Sequence, residues 1–577
     1  MLLAFIMTFT SIPLSAHAEE EISGKYQCDW FDESIFYPYE YNDDWFSGSS
    51  YVYNHKLATL ALNVSLASFN SFNDDQRDEN IRKMLEECGY EVNSYGFETE
   101  GYDTSAVALG KKEVELNGEV CTLIIAAVRS GNYGMEWGGN MRVGSGENHL
   151  GFDLAKEIIL NYFNDYFAKA QLNGRVKLLI PGYSRGGSIA NLVGAELTDG
   201  SYAECINGAN HIAKLKLKNE DIFTFTFEAP QCTKSTDASN ELYGNIVNII
   251  NPNDYVPRFA MDKWGFTHYG VEYYLPSADN CKNYESYYQK VGEVFKDIMA
   301  DSGKKFSSNF YNTEDSRSVG AMLDSLMDKL TDEVLGNQQT YTEKYEDGLV
   351  FVAGQYISKQ LGVVNAMKTV GVIIVGIAIG LIPANMETIK SDGFRSYISE
   401  RIAESNAAEH LNKKQIQGMI DVFLALFEFV KNNRSDVRAL LGQLNTVLNV
   451  HQPYVNLAWM MAIDRNDLMK INGREEKPLL VSFNTVNLRY KASAKIIAEY
   501  NESEGKISWK SSDNSVVTVD ENGYLAAVGN GTATVTAELY DKNGALLDSE
   551  AVTVTVHMNA FEMFFSAFKN VFEGATV

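Results

Sequence analysis

The stretch Gly182-Tyr183-Ser184-Arg185-Gly186-Gly187 constrains the fold of this chain more than any other. It follows the apolar run Val176-Lys177-Leu178-Leu179-Ile180, which has strand character, and it precedes Ser188 to Ala195, which reads as a helix ended near Gly200. A serine between glycines two positions away, on a sharp turn from strand to helix, is the arrangement of a nucleophile elbow. The turn leaves no room for bulky side chains on either side, which explains the two glycines. A Ser-Gly turn without chemistry is the plainer alternative for the same residues.

Around this elbow the pattern alternates between strands and helices. Glu113 to Leu116 and Glu119 to Val128 read as two strands joined by the turn Asn117-Gly118, and the second runs into the polar exit Arg129-Ser130-Gly131. Leu57 to Ser68 reads as a helix. Leu154, Ile158, Tyr162 and Tyr166 recur at helical spacing between Asp153 and Ala170. Ile222 to Phe227 and Ile246 to Ile250 are further strands. This order implies an α/β fold with a mainly parallel sheet covered on both faces.

At 577 residues the chain exceeds one ordinary core. Residues 1–18 have the shape of a secretory signal: Met1 to Ala18 carry no charged side chain and end Ala16-His17-Ala18, although the basic start is missing. Residues 19–278 form the sheet domain with an aromatic, acidic N-terminal segment. Residues 279–450 are predicted as a large helical insert, or cap. Within it, Val370 to Ile382 are thirteen residues without a charge, short of the about twenty that span a membrane, so a buried helix is expected there and a lipid-touching lid is the sharper alternative. Residues 451–477 return to the sheet domain. Residues 478–557 change to short alternating strands with frequent turns, an all-β sandwich with Trp509 expected in its core. Residues 558–577 place Phe561, Phe564, Phe565 and Phe568 on one helical face, an amphipathic tail that would dock on the protein, a partner or a membrane surface.

A formal charge of −27 repels phosphate backbones and argues against nucleic acid as a partner. The six cysteines include no CxxC pair, which argues against a thiolate metal site. Export would permit disulfides, whose pairing the sequence leaves open, and Cys121 is expected to be buried.

A serine hydroxyl needs a base, and the base needs an acid to set its tautomer. Asp254, in Asn251-Pro252-Asn253-Asp254-Tyr255-Val256-Pro257-Arg258, follows the strand Ile246 to Ile250, at the strand end where catalytic groups gather. An ordinary turn aspartate is the alternative.

Several of these segments together resemble the class 3 lipases: Leu179 to Ala195, Phe225 to Pro230, Asn253 to Arg258 and Gly265 to Tyr274. Ala127-Val128-Arg129-Ser130-Gly131 resembles that family's oxyanion loop, and Trp137, Asn140 and His149-Leu150-Gly151-Phe152 match its further signals. The resemblance covers about Val120 to Tyr274 and implies an α/β-hydrolase fold acting on lipid esters. Tyr183 and Arg185 depart from the family's elbow, whose serine usually stands between His and Leu. The stretch from Leu479 to Val556 resembles the bacterial Ig-like domain of group 2, found on secreted and surface proteins.

Of the histidines beyond Asp254, His557 closes the sandwich and His410 sits in a charged helical stretch. His268 lies in a segment matching a family strand that is not catalytic. His451 follows the helical insert, where the sheet domain must be rejoined, and is preferred over His268 as the base. A capped helix end with a satisfied imidazole is the plain alternative. The expected triad is then Ser184, His451 and Asp254, with the backbone N–H groups of Arg185 and Ser130 holding the oxyanion. No metal or cofactor is called for. The reading is a serine hydrolase, secreted or at a bacterial cell surface, that cleaves carboxylic esters. A serine amidase or peptidase with the same triad is one alternative. A surface adhesion protein on an inactive hydrolase scaffold, contacting membrane or cell surface through the Ig-like module or the tail, is another.

Overall fold

The computed structural model describes residues 21–558 apart from 28–34, 69–77, 131–133, 260, 301–317, 352, most of 355–411, 444–446, 448–449, 474–478, 482–484, 497 and 501–504. The expected secretory segment, the uncharged run Val370 to Ile382, His410 and the phenylalanine tail lie outside the described residues, as does Cys28.

In the N-terminal segment β1 (Ile22–Gln27) pairs antiparallel with β2 (Phe36–Tyr41). Its alternation buries Tyr37, Tyr39 and Tyr41 on one side. Helix α1 (His55–Ala67) follows, capped by the Asn54 side chain on Leu57 N, and then α2 (Glu79–Glu87). Leu57, Leu60, Leu62 and Leu66 of α1 are fully buried, each worth about 2 kcal/mol of apolar transfer.

The central sheet has seven strands in chain order: β3 (Glu91–Tyr95), β4 (Val107–Leu116), β5 (Glu119–Val128), β6 (Arg175–Tyr183), β7 (Ile222–Phe227), β8 (Ile246–Ile250) and β9 (Val271–Tyr274). The pairings β3–β4 and β4–β5 are antiparallel; those from β5 to β9 are parallel. Asn117 (φ 56°) and Gly118 (φ 73°) make the two-residue turn between β4 and β5, with both residues at the positive φ such a hairpin needs. Strands covered on both faces are buried almost throughout, as β5, β6 and β7 are, the Thr224 and Thr226 side chains of β7 included.

Strand parity sorts their side chains into two cores. After β5 the chain makes the single helical turn α3 (Glu136–Gly139) and then the long helix α4 (Leu150–Lys169). Ile124, Ala126, Val128, Leu178 and Ile180 meet α4 and α5 (Arg185–Asp199), whose chain direction reverses after Gly200 in a left-handed cap. Leu123, Ile125, Ala127, Leu179, Tyr183 and Phe227 face the other side. There they meet α1, α6 (Tyr284–Met299) and α7 (Pro453–Ala462). Helix α6, the first after Asp279, therefore packs with the sheet, and so do the residues that follow His451. The helices between them, Val319–Leu330, Gln338–Lys344, Lys413–Asn432 and Arg434–Gly442, assemble a separate cluster through Leu326, Tyr341, Phe429, Val430 and Val437. That cluster rests on Val143, Met261 and Phe266 of the loops around the sheet.

The C-terminal module pairs Thr485–Arg489, Leu546–His557, Gly531–Asp541 and Gly505–Ser511 in one sheet and Ser493–Lys495, Tyr524–Ala527 and Val517–Val519 in another. Its core is made of small and branched residues, among them Leu488, Val517, Leu525, Val535, Val552 and Val554. Trp509, expected in that core, is only half-buried and packs against its margin. Its indole lies 3.0 Å from where a Cβ on Gly523 would stand, so it covers the turn at that glycine instead of filling the centre.

Candidate active site

Strand β6 ends at Tyr183 and α5 begins at Arg185, so Ser184 alone makes the turn, with φ 55° and ψ −132°. This is a strained conformation for a residue other than glycine. It is held by Ser184 N donating to Phe227 O at 2.9 Å and by Gly187 N donating to Ser184 O at 2.8 Å. A Cβ on Gly182 would stand 2.2 Å from Gly186 O, and one on Gly186 would stand 2.4 Å from Ser130 Oγ. The two glycines thus let strand, turn and helix approach at the elbow.

The structure brings three distant segments together here. His451 Nε2 is 3.0 Å from Ser184 Oγ, although 267 residues separate them. His451 Nδ1 is 2.5 Å from Asp254 Oδ2. The Asp254 side chain is fully buried, and its other oxygen accepts from Val256 N at 2.9 Å. The imidazole retains 11% exposure, so the serine end of the chain of hydrogen bonds is open to a ligand. His451 is placed by α7, whose Pro453 occupies the first turn, where its missing N–H costs no helical bond.

Among the described residues, His268, His557 and His149 have other surroundings. His268 is buried with Nδ1 2.8 Å from Glu272 Oε1 and Nε2 3.1 Å from Ala229 O. His557 is exposed at the end of a strand paired with Arg489. His149 is buried against Phe152, with burial and then the Arg185 charge lowering its pKa to about 3, so it stays neutral.

Behind the elbow lies a buried ionic group that residue patterns do not reveal. Arg185 opens α5, so its backbone N–H sits at the helix N-terminus beside the serine, while its side chain runs inward and is almost wholly buried. The guanidinium donates to Asn140 Oδ1 at 3.1 Å, with Thr104 O at 3.4 Å, and lies 5.6 Å over the Phe152 ring. Arg129 pairs with Glu136, which also accepts from Thr104 Oγ1 at 2.7 Å. Burial raises the Glu136 carboxyl although Arg129 and Arg185 both oppose the shift. Ser130 is fully buried, and its hydroxyl donates to Tyr183 O at 2.7 Å, tying the exit of β5 to the elbow strand. Residues 131–133 of that loop are outside the described residues.

A second carboxyl stands beside Asp254. Glu228 follows β7 directly, is buried, and has φ 48°. Both of its oxygens lie 3.0 Å from Asn251 N. Burial first, and then the negative charge of Asp254 and the hydrogen bond to it, hold the Glu228 carboxyl well above the usual range. The signal for it in sequence is an acid immediately after a strand without charged residues, which lies next to the elbow strand.

Because the native state keeps a proton here that the unfolded chain releases near about pH 4.3, that stabilising contribution is complete below this pH. It is lost as the pH rises towards the raised native value. Glu228→Gln is neutral at every pH and keeps both an acceptor for Asn251 and a donor for Asp254. Its Tm relative to the wild type should therefore increase from about pH 5 to about pH 8, with ester turnover within about threefold. Melting curves at the two pH values check this.

Among the described residues no group of three or more His, Cys, Asp or Glu side chains is arranged to hold a metal ion. Cys88, Cys121, Cys205, Cys232 and Cys281 are free thiols, and Cys121 is buried.

Residues 486–546 match the family Bacterial Ig-like domain (group 2). No curated protein matches the chain. Among solved structures it is similar to lipases of fungi. The native lipase–propeptide complex of Rhizomucor miehei is 18% identical, with a TM-score of 0.27, over 40% of this chain and 71% of that one. The triacylglyceride lipase of Rhizomucor miehei is 17% identical, with a TM-score of 0.26, over 40% and 83%. Lipase II of Rhizopus niveus is 18% identical, with a TM-score of 0.25, over 34% and 70%.

Proposed function

We propose that this protein is a serine hydrolase cleaving carboxylic esters by acyl transfer, with Ser184 as nucleophile, His451 as general base and acid, and Asp254 as the residue that orients the imidazole. The observation that carries the reading is the continuous hydrogen-bond chain from Ser184 Oγ through both imidazole nitrogens to Asp254. Ser184 Oγ attacks the ester carbonyl carbon while His451 Nε2 accepts its proton. The negative charge that forms on the carbonyl oxygen is held by the backbone N–H of Arg185 and by that of Ser130. Collapse expels the alcohol, which takes the proton back from Nε2. A water molecule then repeats both steps on the acyl-enzyme, releasing the acid and restoring the serine.

The substrate class, lipid or acylglycerol esters, follows the resemblance of Val120 to Tyr274 to class 3 lipases. The partition at 18, 278, 450, 477 and 557 belongs to the same proposal, with the difference that α6 packs with the sheet and leaves the helices between Val319 and Gly442 as the cap over the site. Export to the medium or the cell surface is proposed from Met1 to Ala18 and from the Ig-like module. Among the described residues no helix is long and apolar enough to cross a membrane.

A series of p-nitrophenyl esters from butyrate to palmitate tests the substrate class. Hydrolysis of the long-chain members is the expected result. Turnover confined to the butyrate would remove the lipid assignment and leave the esterase, whereas hydrolysis of p-nitroanilides alone would replace esters by amides.

A further inference from the structure

Tyr183, the residue immediately before the serine, and Asn456, on the helix that follows His451, meet under the imidazole. Tyr183 Oη donates to the backbone carbonyl of His451 at 2.9 Å. Asn456 Nδ2 donates to Tyr183 Oη at 2.8 Å and also reaches Val450 O at 3.0 Å. The backbone is therefore gripped at His451 and at the residue before it, through one hydroxyl and one amide. Both side chains are 1% exposed. The Tyr183 ring lies 5.3 Å from the imidazole, centroid to centroid, with 36° between the planes.

We propose that Tyr183 and Asn456 are positioning residues that fix the backbone of His451, and with it the aim of Nε2 at Ser184. The proposal rests on the acyl-transfer reading above and deepens it. The geometry has a specific consequence for the elbow. Strand parity directs Tyr183 to the sheet face where α7 packs, while the next residue, Ser184, turns out of the strand. Nucleophile and base are thereby referenced to two consecutive residues of one strand end, although the chain carries them 267 residues apart. The elbow residue is Tyr where the resembling family usually has His, and here its reach to a backbone carbonyl gives that departure a task. Burial keeps the phenol well above its usual pKa, so it remains a donor through the range in which the imidazole must work.

The test uses the full chain and the variants Tyr183→Phe, Asn456→Ala, their double, and Ser184→Ala as reference. Phenylalanine retains the ring and its packing, so it removes only the hydroxyl. On p-nitrophenyl butyrate, Tyr183→Phe should lose about 10- to 100-fold in kcat with KM within about twofold, because the loss is one of aim and not of substrate binding. Titration with a fluorophosphonate should still count one reactive serine per chain, reacting more slowly by a similar factor. Asn456→Ala should fall in the same range, and the double variant should lose less than the product of the two single losses, since Asn456 acts on the His451 carbonyl through the Tyr183 hydroxyl and adds only its own hold on Val450 O.

A Tyr183→Phe variant with kcat within about threefold of the wild type, alongside an inactive Ser184→Ala, overturns the clamp and leaves the triad standing. A lower count of titratable sites with unchanged kcat per site also overturns it, because that is the mark of a purely structural role. If Tyr183→Phe does not fold, Asn456→Ala carries the same two readouts. Activity that survives Ser184→Ala overturns the acyl-transfer reading, and the clamp with it.

Discussion

Ser184→Ala is expected to lower ester turnover by about a millionfold, His451→Ala by about as much, and the double variant by no more than either alone. The reason is geometric. Ser184 Oγ has one proton to lose, and the atom placed to take it is His451 Nε2, 3.0 Å away. Removing either partner removes the same step, so the losses cannot multiply. What remains should be about 10³ to 10⁴ above the rate in water, from substrate binding and the backbone donors at the head of α5. Independent contributions would instead give a double variant far below both singles. Each variant needs a melting curve beside it, because His451 and Ser184 also touch buried structure. Turnover of the three variants under identical conditions decides between the two patterns.

Asp254→Asn should cost about 10⁴ in kcat while leaving the fold intact. Asp254 accepts at both oxygens, from Val256 N at 2.9 Å and from His451 Nδ1 at 2.5 Å. An asparagine here must keep its carbonyl oxygen on Val256 N–H, which turns its NH2 group towards the imidazole. His451 Nδ1 would then have to accept, placing the ring proton on Nε2 and pointing it at Ser184 Oγ. In that tautomer the base has no lone pair for the serine proton. Glu228 alongside is engaged by Asn251 N, at 3.0 Å from both of its oxygens, and it is Asp254 that meets the imidazole. A loss of less than about tenfold would mean that Asp254 is only a turn residue with an incidental hydrogen bond.

The parts of this arrangement that can be read from residues are those with a strong periodic or turn signature. The apolar run before Gly182, the Asn117-Gly118 turn, the helical spacing from Leu154 to Tyr166 and the strands Ile222–Phe227 and Ile246–Ile250 all coincide with described elements. Their patterns are imposed by burial on both faces or by a φ that few residues adopt, and such requirements are local. Strand β3 carries no such signature because Glu91 to Tyr95 is a largely polar edge strand with no fully buried position. Tyr26, Tyr37, Tyr39 and Tyr41 pack as a hairpin because two short segments pair across residues whose spacing carries no turn signal. Trp509 stays at the margin because a large aromatic in a small sandwich competes with many valines for the centre, and here it covers a glycine turn instead.

At the site the distinction is sharper. Ser184 and Asp254 can be nominated because each sits at a strand end. Nothing local selects His451 from His268, since both stand in aromatic, turn-rich surroundings and only the return of the chain through α7 decides which one meets the serine. Glu228, Tyr183 and Asn456 are harder still. Their contacts join residues that are close only after the sheet, α7 and the loop at Asn251 have assembled. The clamp on His451 is thus a property of tertiary packing, expressed through residues that would look like ordinary core or turn positions.

The central claim is that Ser184 is a nucleophile activated by His451, and one covalent adduct tests it. The full chain is treated with a fluorophosphonate at neutral pH, digested and mapped by mass spectrometry, with His451→Ala run in parallel. The account predicts one phosphonate per chain, on Ser184, formed rapidly in the wild type and slower by orders of magnitude in His451→Ala. A wild type that leaves Ser184 unmodified, or that labels it at the same rate without His451, would contradict it.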